Sequence, residues 1–464
     1  MKNALLITLL FLLRLTVEPA HAQDTLRLTC KGFLDMVSKY HPMAKRAALE
    51  NDRAAAGLLF ARGAFDPKLY GSTYWKQLDD KQYFRQWEAG ITAPLWPGIK
   101  LEAGYENNTG LFINPEASTV SNGLVFAGLS IPLLQGLTTD QRRIALQKAR
   151  LDVIRAEAQQ DILVNDLLLR AAYAYWDWWL AYQQINVLQG ITNITFQRYR
   201  DIVESYRLGD LAAIDTLEAF IQYQNRLVDL QKAEIQFVQA GFNLSNFLWT
   251  EDGEALFLNP DVFPQDLTEA TLLEDLNEVK AMSLNADVLN HPIMKALAVD
   301  RSKLERDLRL QKEFLKPQLD LKYNWLFTPV EENNLSLRDY RWGLGMSVPL
   351  AYRRIRAGID NVKIRQQELK LSIDQRELEL KNAQQALTEN TERILNNIRL
   401  YQELTGNYRR LLEAEQLRFN AGESSVFIIN ARENQFLQAQ QNLYYLQFEL
   451  EKNLYLWRWN IGAF

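Results

Sequence analysis

The chain has 464 residues, 47% hydrophobic and 23% charged, with a formal net charge of -5. That length suits two or three globular domains or one elongated object, and the mildly acidic balance lacks the clustered basic face that nucleic acid demands. Cys30 is the sole cysteine, which excludes an intrachain disulfide framework, and three histidines, one of them His21 in the leader, cannot build a metal cluster.

Residues 1–22 read as a secretory signal. Lys2 supplies the charge, Ala4 to Leu13 the apolar core, and Ala20-His21-Ala22 the small-x-small cleavage pattern. The mature chain is expected to begin at Gln23. Beyond it there is no run of about 18 apolar residues, so an exported chain of this kind would enter a membrane only as a closed β-barrel.

The next stretch, HPMAKRAALENDRAAAGLLFARGAFDPKLYGSTYW from His41, returns from His291 as HPIMKALAVDRSKLERDLRLQKEFLKPQLDLKYNW. Pro67 and Trp75 follow His41 by 26 and 34 positions, as Pro317 and Trp325 follow His291. Each histidine precedes a proline suited to a first helical turn, so both are read as structural, opening short helices. Between Pro67 and Pro132 the apolar period becomes two. Trp87, Ala89, Ile91, Ala93 and Leu95 alternate with Gln86, Glu88 and Thr92, then Ile99, Leu101, Ala103 and Tyr105 with Lys100, Glu102 and Glu106. Strands of about ten residues cross a bilayer when tilted. Four strand segments are expected in about 68–131, split at PLWPGIK by a Pro97-Gly98 turn.

No proline lies between Pro132 and Pro260 or after Pro349, which leaves both tracts free to be helical. QRRIALQKARLDVIRAEAQQDILVNDLLLRAAYAYW is rich in strong helix formers. Gly209, 77 positions after Pro132, ends a helix of roughly 110 Å. The aromatic cluster Tyr173, Tyr175, Trp176, Trp178 and Trp179 on it is read as packing between helices. The Gly turn in ESYRLGDLAAIDTLEA sends back a helix ending near residue 250, and 251–290 is an irregular segment. The second copy repeats the order. Its strands fall at about 318–349, where Leu319, Leu321, Tyr323 and Trp325 alternate with Gln318, Asp320, Lys322 and Asn324. A long helix then runs to Gly422 in EQLRFNAGESSVFIINARENQ, and a last helix returns to the C-terminus. The organisation expected is a repeat at 23–250, the equatorial segment 251–290 and a repeat at 291–464. Helix lengths suggest end-to-end stacking: the first returning helix onto the short helix after His291, and the C-terminal helix onto the short helix after His41.

One chain supplies too few strands for a wide barrel, whereas three chains of about six strands would enclose an aqueous lumen. The fold class expected is mainly α with membrane β, in a ring of three copies. In the duplicated HP…P-x-L starts, the strand-ending SIPLLQG and SVPLAYRR, AYAYWDWWLAYQQ and the turns YRLGDLAAIDTLEA and RFNAGESSVFIINARE, the chain resembles the TolC family of outer-membrane efflux proteins. The resemblance implies a passive exit duct of a tripartite efflux or type I secretion system, with no enzymatic activity and no cofactor. It implies a homotrimer seated in outer-membrane lipid, a trimeric α-helical barrel continuous with an outer-membrane β-barrel, meeting a periplasmic membrane-fusion adaptor and, through it, an inner-membrane transporter of RND, ABC or MFS type. Docking would fall on the turns: Arg207, Leu208, Gly209, Asp210, Phe419, Asn420, Ala421, Gly422 and Glu423, with Leu208 and Phe419 as apolar anchors.

For the family's periplasmic gate, Asp215 matches the aspartate six positions past the first turn glycine. The gate tyrosine and arginine positions hold Phe419 and Ser424, and the family's lumen acids fall on Ile428 and Ala431, leaving Asn430 and Arg432 as substitutes. A rival reading is a trimeric coiled-coil surface or structural protein with a membrane-embedded β anchor. An enzyme reading finds no G-x-S-x-G, Walker loop or H-E-x-x-H.

Overall fold

A computed structural model describes residues 26–96, 98–284, 286–328 and 338–464. The signal segment 1–22, the expected start at Gln23 and Pro97 lie outside the described residues. Strand β1 (Leu26–Leu28) precedes helices α1 (Cys30–Tyr40) and α2 (Pro42–Gly63). Four strands follow: β2 (Lys68–Leu78), β3 (Lys81–Pro94), β4 (Lys100–Thr109) and β5 (Leu124–Pro132). Then come α3 (Gln141–Leu208), α4 (Ala213–Ser245), β6 (Val262–Pro264), α5 (Glu269–Leu284) and α6 (Pro292–Glu313). The chain closes with β7 (Gln318–Phe327), β8 (Tyr340–Ser347), α7 (Arg353–Asn420) and α8 (Val426–Ile461). Helices α3 and α7 have 68 residues each. Among the described residues no helix is long and apolar enough to cross a membrane.

The chain divides into two compact units. One gathers Met43–Leu167, Val279–Thr388 and Trp457–Phe464. It carries a six-stranded antiparallel sheet in the order β2-β3-β4-β5-β7-β8. The expected split of the first strand region occurs where Leu95 N–H donates to the Ile99 carbonyl at 2.7 Å. Directly opposed residues share a face, and the register sorts most residues by face, with Phe126 and Leu326 on the polar side and Arg85 and Asn107 on the apolar side as exceptions. Leu69, Ile91, Ala103, Ala127, Trp325 and Tyr340 form one cross-strand row, and Ala93, Leu101, Leu129, Tyr323 and Trp342 the next. On the opposite face Lys100 stands opposite Ser130 and Ser130 opposite Lys322, while Glu88 faces Glu106. The same unit holds the corner from β5 into α3. There the buried Glu313 carboxylate accepts from Gly136 N at 3.1 Å, Thr138 Oγ1 at 3.0 Å and Lys316 Nζ at 2.8 Å. Those donors hold its carboxyl below the usual carboxylate range, against the burial that would raise it.

The other unit comprises the N-terminal residues through Pro42, Leu168–Glu278 and Glu389–Leu456. Here β1 pairs in parallel with β6, and the helices neighbour one another in the order α4–α3–α8–α7. Tyr199 meets Phe220 at 5.2 Å between α3 and α4, and Trp179 meets Tyr444 at 6.0 Å between α3 and α8. Asn453 Nδ2 donates to Thr391 Oγ1 at 2.6 Å between α8 and α7. The aromatic cluster packs as expected. Tyr175, Trp176, Trp178 and Trp179 are buried; Tyr175 stacks on Phe33 and donates its hydroxyl to the Leu28 carbonyl at 2.7 Å.

The end-to-end stacking expected from helix lengths is corrected. His41 stacks on Phe247 at 5.8 Å and meets Trp249 edge-on at 6.1 Å, so the end of α4 abuts the start of α2. His291 meets Trp459 at 6.1 Å, and a Cβ on Gly462 would stand 2.7 Å from Pro292 Cδ, so α8 ends on the start of α6. The partners are thus the reverse of the expected pairing. Both histidines are structural: His291 Nδ1 accepts from Ile293 N at 3.2 Å as the cap of α6.

Candidate functional site

Three surfaces can carry function: the turns after α3 and α7, the outer faces of α4 and α7, and the two sheet faces. At each turn the chain must reverse within a few residues, which needs a left-handed backbone position. Gly209 has φ 87° and Gly422 φ 76°. Asp210 N donates to Ser205 O at 2.9 Å and Glu423 N to Arg418 O at 2.8 Å. These are the bonds of a Schellman closure, which satisfy carbonyls the helix ends would leave open.

The two turns share one small core. Ile202, Ala219 and Val426 are buried together, with Tyr199, Leu211 and Phe419 packed against them. Phe419, expected as an outward anchor beside Leu208, therefore packs on this core, because an aromatic ring at that position covers the gap between three helix ends. Leu208 is 71% exposed, and the apolar residues around it that sequence reasoning passed over, Ile214, Leu417 and Phe427, are 73%, 72% and 70% exposed. Arg207, Asp210, Asn420, Ala421 and Glu423 are exposed as well. Arg207 lies 3.5 Å from Glu204, Asn420 Oδ1 accepts from Gln416 Nε2 at 3.3 Å, and Arg418 donates to the Glu423 carbonyl at 3.3 Å.

The four residues considered for a gate do not pair with one another within the chain. Asp215 Oδ2 accepts from Ala212 N at 3.1 Å, capping α4. Ser424 Oγ donates to the buried Glu415 at 2.6 Å, and Arg432 Nη1 donates to Gln435 Oε1 at 3.2 Å. Asn430 is buried and accepts from Arg198 Nη1 at 3.2 Å. It belongs to an ion cluster that the sequence did not announce. Glu433 on α8 accepts from Arg198 Nη2 at 2.5 Å, Arg226 Nε at 3.3 Å and Thr195 Oγ1 at 3.0 Å. Arg226 also donates to Asn434. The cluster clamps α3, α4 and α8 just behind the turns. Charges on three amphipathic helices look like surface charge in a sequence; only the packing brings them together.

The two outer helices of this unit each expose an apolar stripe. On α4, Ile214, Ile221, Val228, Ile235 and Phe242 recur every seven residues, all exposed. That is the spacing of a coiled-coil seam without its partner. On α7, Leu400, Leu404, Leu411 and Leu417 are exposed. In the sheet-bearing unit the apolar face is bare too: Leu69, Trp75, Ile91, Leu101, Trp342, Leu344 and Met346 are all exposed. The opposite face carries Gln86, Glu88, Lys100, Glu102, Asp320 and Lys322, with Arg341 Nη1 bonded to Glu106 at 3.1 Å. The strand phase read from the sequence is the observed one, with Leu101 and Leu321 on the face opposite to these groups.

No family model matches the chain, and no curated protein matches it in sequence. Solved structures do. The Campylobacter jejuni CmeC outer membrane channel superposes with a TM-score of 0.65 at 12% identity, over 94% of this chain and 86% of that one. The CusC channel gives 0.66 at 14% identity, over 94% and 92%. The open state of the Neisseria gonorrhoeae MtrE outer membrane channel gives 0.64 at 14% identity, over 94% and 89%. Over nearly its whole length, the chain shares the fold of these outer-membrane channel proteins.

Proposed function

We propose that the chain is the passive outer-membrane exit duct of a tripartite efflux or type I secretion system, working as a homotrimer. One observation carries the reading: a six-stranded sheet with a bare apolar face, a polar opposite face and two unpaired edges, β2 and β8. Exposed sheet edges are a liability that closure removes. Three copies joined β2 to β8 would make an eighteen-stranded barrel with its apolar face in lipid and its polar face around water. The helices support the same closure. With α4 and α7 as the outer members of their layer, the α4 stripe of one copy can meet the α7 stripe of the next, a head-to-tail contact that closes a ring.

The turns would dock onto a periplasmic adaptor, which joins them to an inner-membrane transporter of RND, ABC or MFS type. Leu208 and Phe427 are the apolar groups available there, next to the seam ends Ile214 and Leu417, with Arg207, Asp210, Asn420 and Glu423 as the polar surround. Asp215, Ser424, Asn430 and Arg432 remain candidates for closing the periplasmic end between copies.

Disulfide trapping tests the assembly. Chains carrying Ile221→Cys with Leu411→Cys, and separately Val228→Cys with Leu404→Cys, should give trimers on a non-reducing gel after oxidation in the membrane. A detergent-extracted protein whose mass is that of a monomer would refute the duct itself.

A further inference from the structure

An apolar pocket of about 220 Å³ opens between α4 and the segment that follows it. Trp178 of α3 borders it, Phe237, Leu258 and Val262 form walls, and no charged side chain lines it. Gly241 makes the room. It lies in the interior of α4, where glycine costs roughly 1 kcal/mol relative to alanine. A Cβ there would stand 3.7 Å from Leu258 Cδ2 and 4.0 Å from Trp178 Nε1, which is ordinary contact. Close packing therefore does not call for glycine at this position; its consequence is open space.

Beside that space the Trp178 indole N–H is fully buried and has no hydrogen-bond partner. Trp176, Trp179 and Trp457 also hold unpartnered indole nitrogens, but Trp178 is the one that borders this cavity. A buried donor left unpaired is unfavourable, and an acceptor brought to it by a ligand would relieve that. The mouth is flanked by the exposed rings of Phe242 and Phe257. An apolar cavity of 150 Å³ holds benzene, so in proportion this one holds about nine non-hydrogen atoms, one ring with its carbonyl. With no charge to compensate an ion, the occupant is neutral.

We propose that this pocket binds small neutral aromatic carbonyl compounds. The ring system lies among Phe237, Phe242 and Leu258, and the carbonyl oxygen accepts from Trp178 Nε1. The inference rests on these residues; Phe242 also ends the α4 stripe, so in the proposed duct the mouth opens beside the seam between copies.

Acetophenone fills the pocket, and benzophenone serves as the photolabel, with one ring and the carbonyl inside and the second ring projecting through the mouth. With the full chain in lipid nanodiscs, irradiation should label the peptides containing Gly241–Ser245 and Phe257–Val262, saturably, with protection by excess acetophenone. Gly241→Leu should cut that labelling at least about tenfold. Trp178→Phe keeps a ring but removes the donor, and should weaken apparent affinity about fivefold, the value of one neutral hydrogen bond. Labelling that never saturates, that misses this pocket, or that is unchanged in Gly241→Leu overturns the proposal. Should Gly241→Leu not assemble, Trp178→Phe decides, and an unchanged affinity there overturns it equally.

Discussion

Replacing Glu433 with glutamine tests whether the ion cluster behind the turns holds the three helices together. Glu433 is 1% exposed and is the carboxylate that Arg198 and Arg226 share. Both guanidiniums are buried, and the next acid, Asp229, is half-exposed and 3.8 Å from Arg226. Removing the shared charge leaves two like charges facing each other out of water, a change that costs about 3–5 kcal/mol when a buried pair is broken. Glutamine keeps an acceptor and nearly the same shape, which places the expected loss near the lower limit, about 3 kcal/mol. At 1.4 kcal/mol per decade, that is roughly a hundredfold more frequent opening. Amide hydrogen exchange on the intact chain reads it directly, in the tracts flanking Arg198, Arg226 and Glu433. The triple replacement Arg198→Met, Arg226→Leu, Glu433→Met, which removes charge from both sides, should restore most of the protection. Exchange within threefold of the parent in Glu433→Gln would refute the clamp.

Three further outcomes follow from the same structure. Leu101→Lys or Leu344→Lys, placed on the bare apolar face, should cost about 2–4 kcal/mol at mid-membrane and reduce the trimer band; Glu102→Lys on the opposite face should change single-channel ion selectivity with little loss of trimer. Burial depresses the affinity of His41 and His291 for a proton, with Arg170 and Arg376 adding to it. The neutral rings thus favour the folded state fully above about pH 6.5, and that contribution fades as pH falls below it. The midpoint of thermal helix loss should drop between pH 7.5 and 5.5, with a smaller drop in the His41→Asn, His291→Asn double variant. Leu208→Asp or Gly209→Val should abolish export and adaptor crosslinking while a heat-modifiable trimer still forms, and retained crosslinking in both would refute docking through the turn.

Period-two alternation was legible because the apolar face of the sheet finds no partner within one chain; only β5 buries a regular row, which includes Phe126 and Ser130. Lys100, Glu102 and Lys322 could take the polar face, and Leu101, Leu321 and Trp342 the other; Phe126, buried on the polar face, is an exception the alternation does not foretell. The turns were legible for a similarly local reason, since a reversal at Gly209 or Gly422 depends on backbone conformation there. What escaped depended on partners far along the chain. Glu433 looks like any helical surface acid until Arg198, 235 positions away, lies beside it. Phe419 looks like an anchor among charges until Val426 and Ala219 supply the surface it covers.

The stacking of the helix ends failed for a more instructive reason. Length alone required each returning helix to be continued by a short one, and either short helix met that requirement. Side-chain chemistry at the junction does not separate the two solutions either. Each short helix starts His-Pro, and each returning helix ends in aromatic residues, Phe247 and Trp249 in one case and Trp459 in the other. An imidazole at the first cap can meet an aromatic ring edge-on while its nitrogen serves the backbone, as His291 does with Trp459 and Ile293. The observed pairing sets the end of α4 against His41 and the end of α8 against His291. The segment 251–290 is thereby released from the task of joining helices end to end. Its strand β6 can pair with β1 instead, and its residues 257–262 are left to wall the pocket beside Trp178.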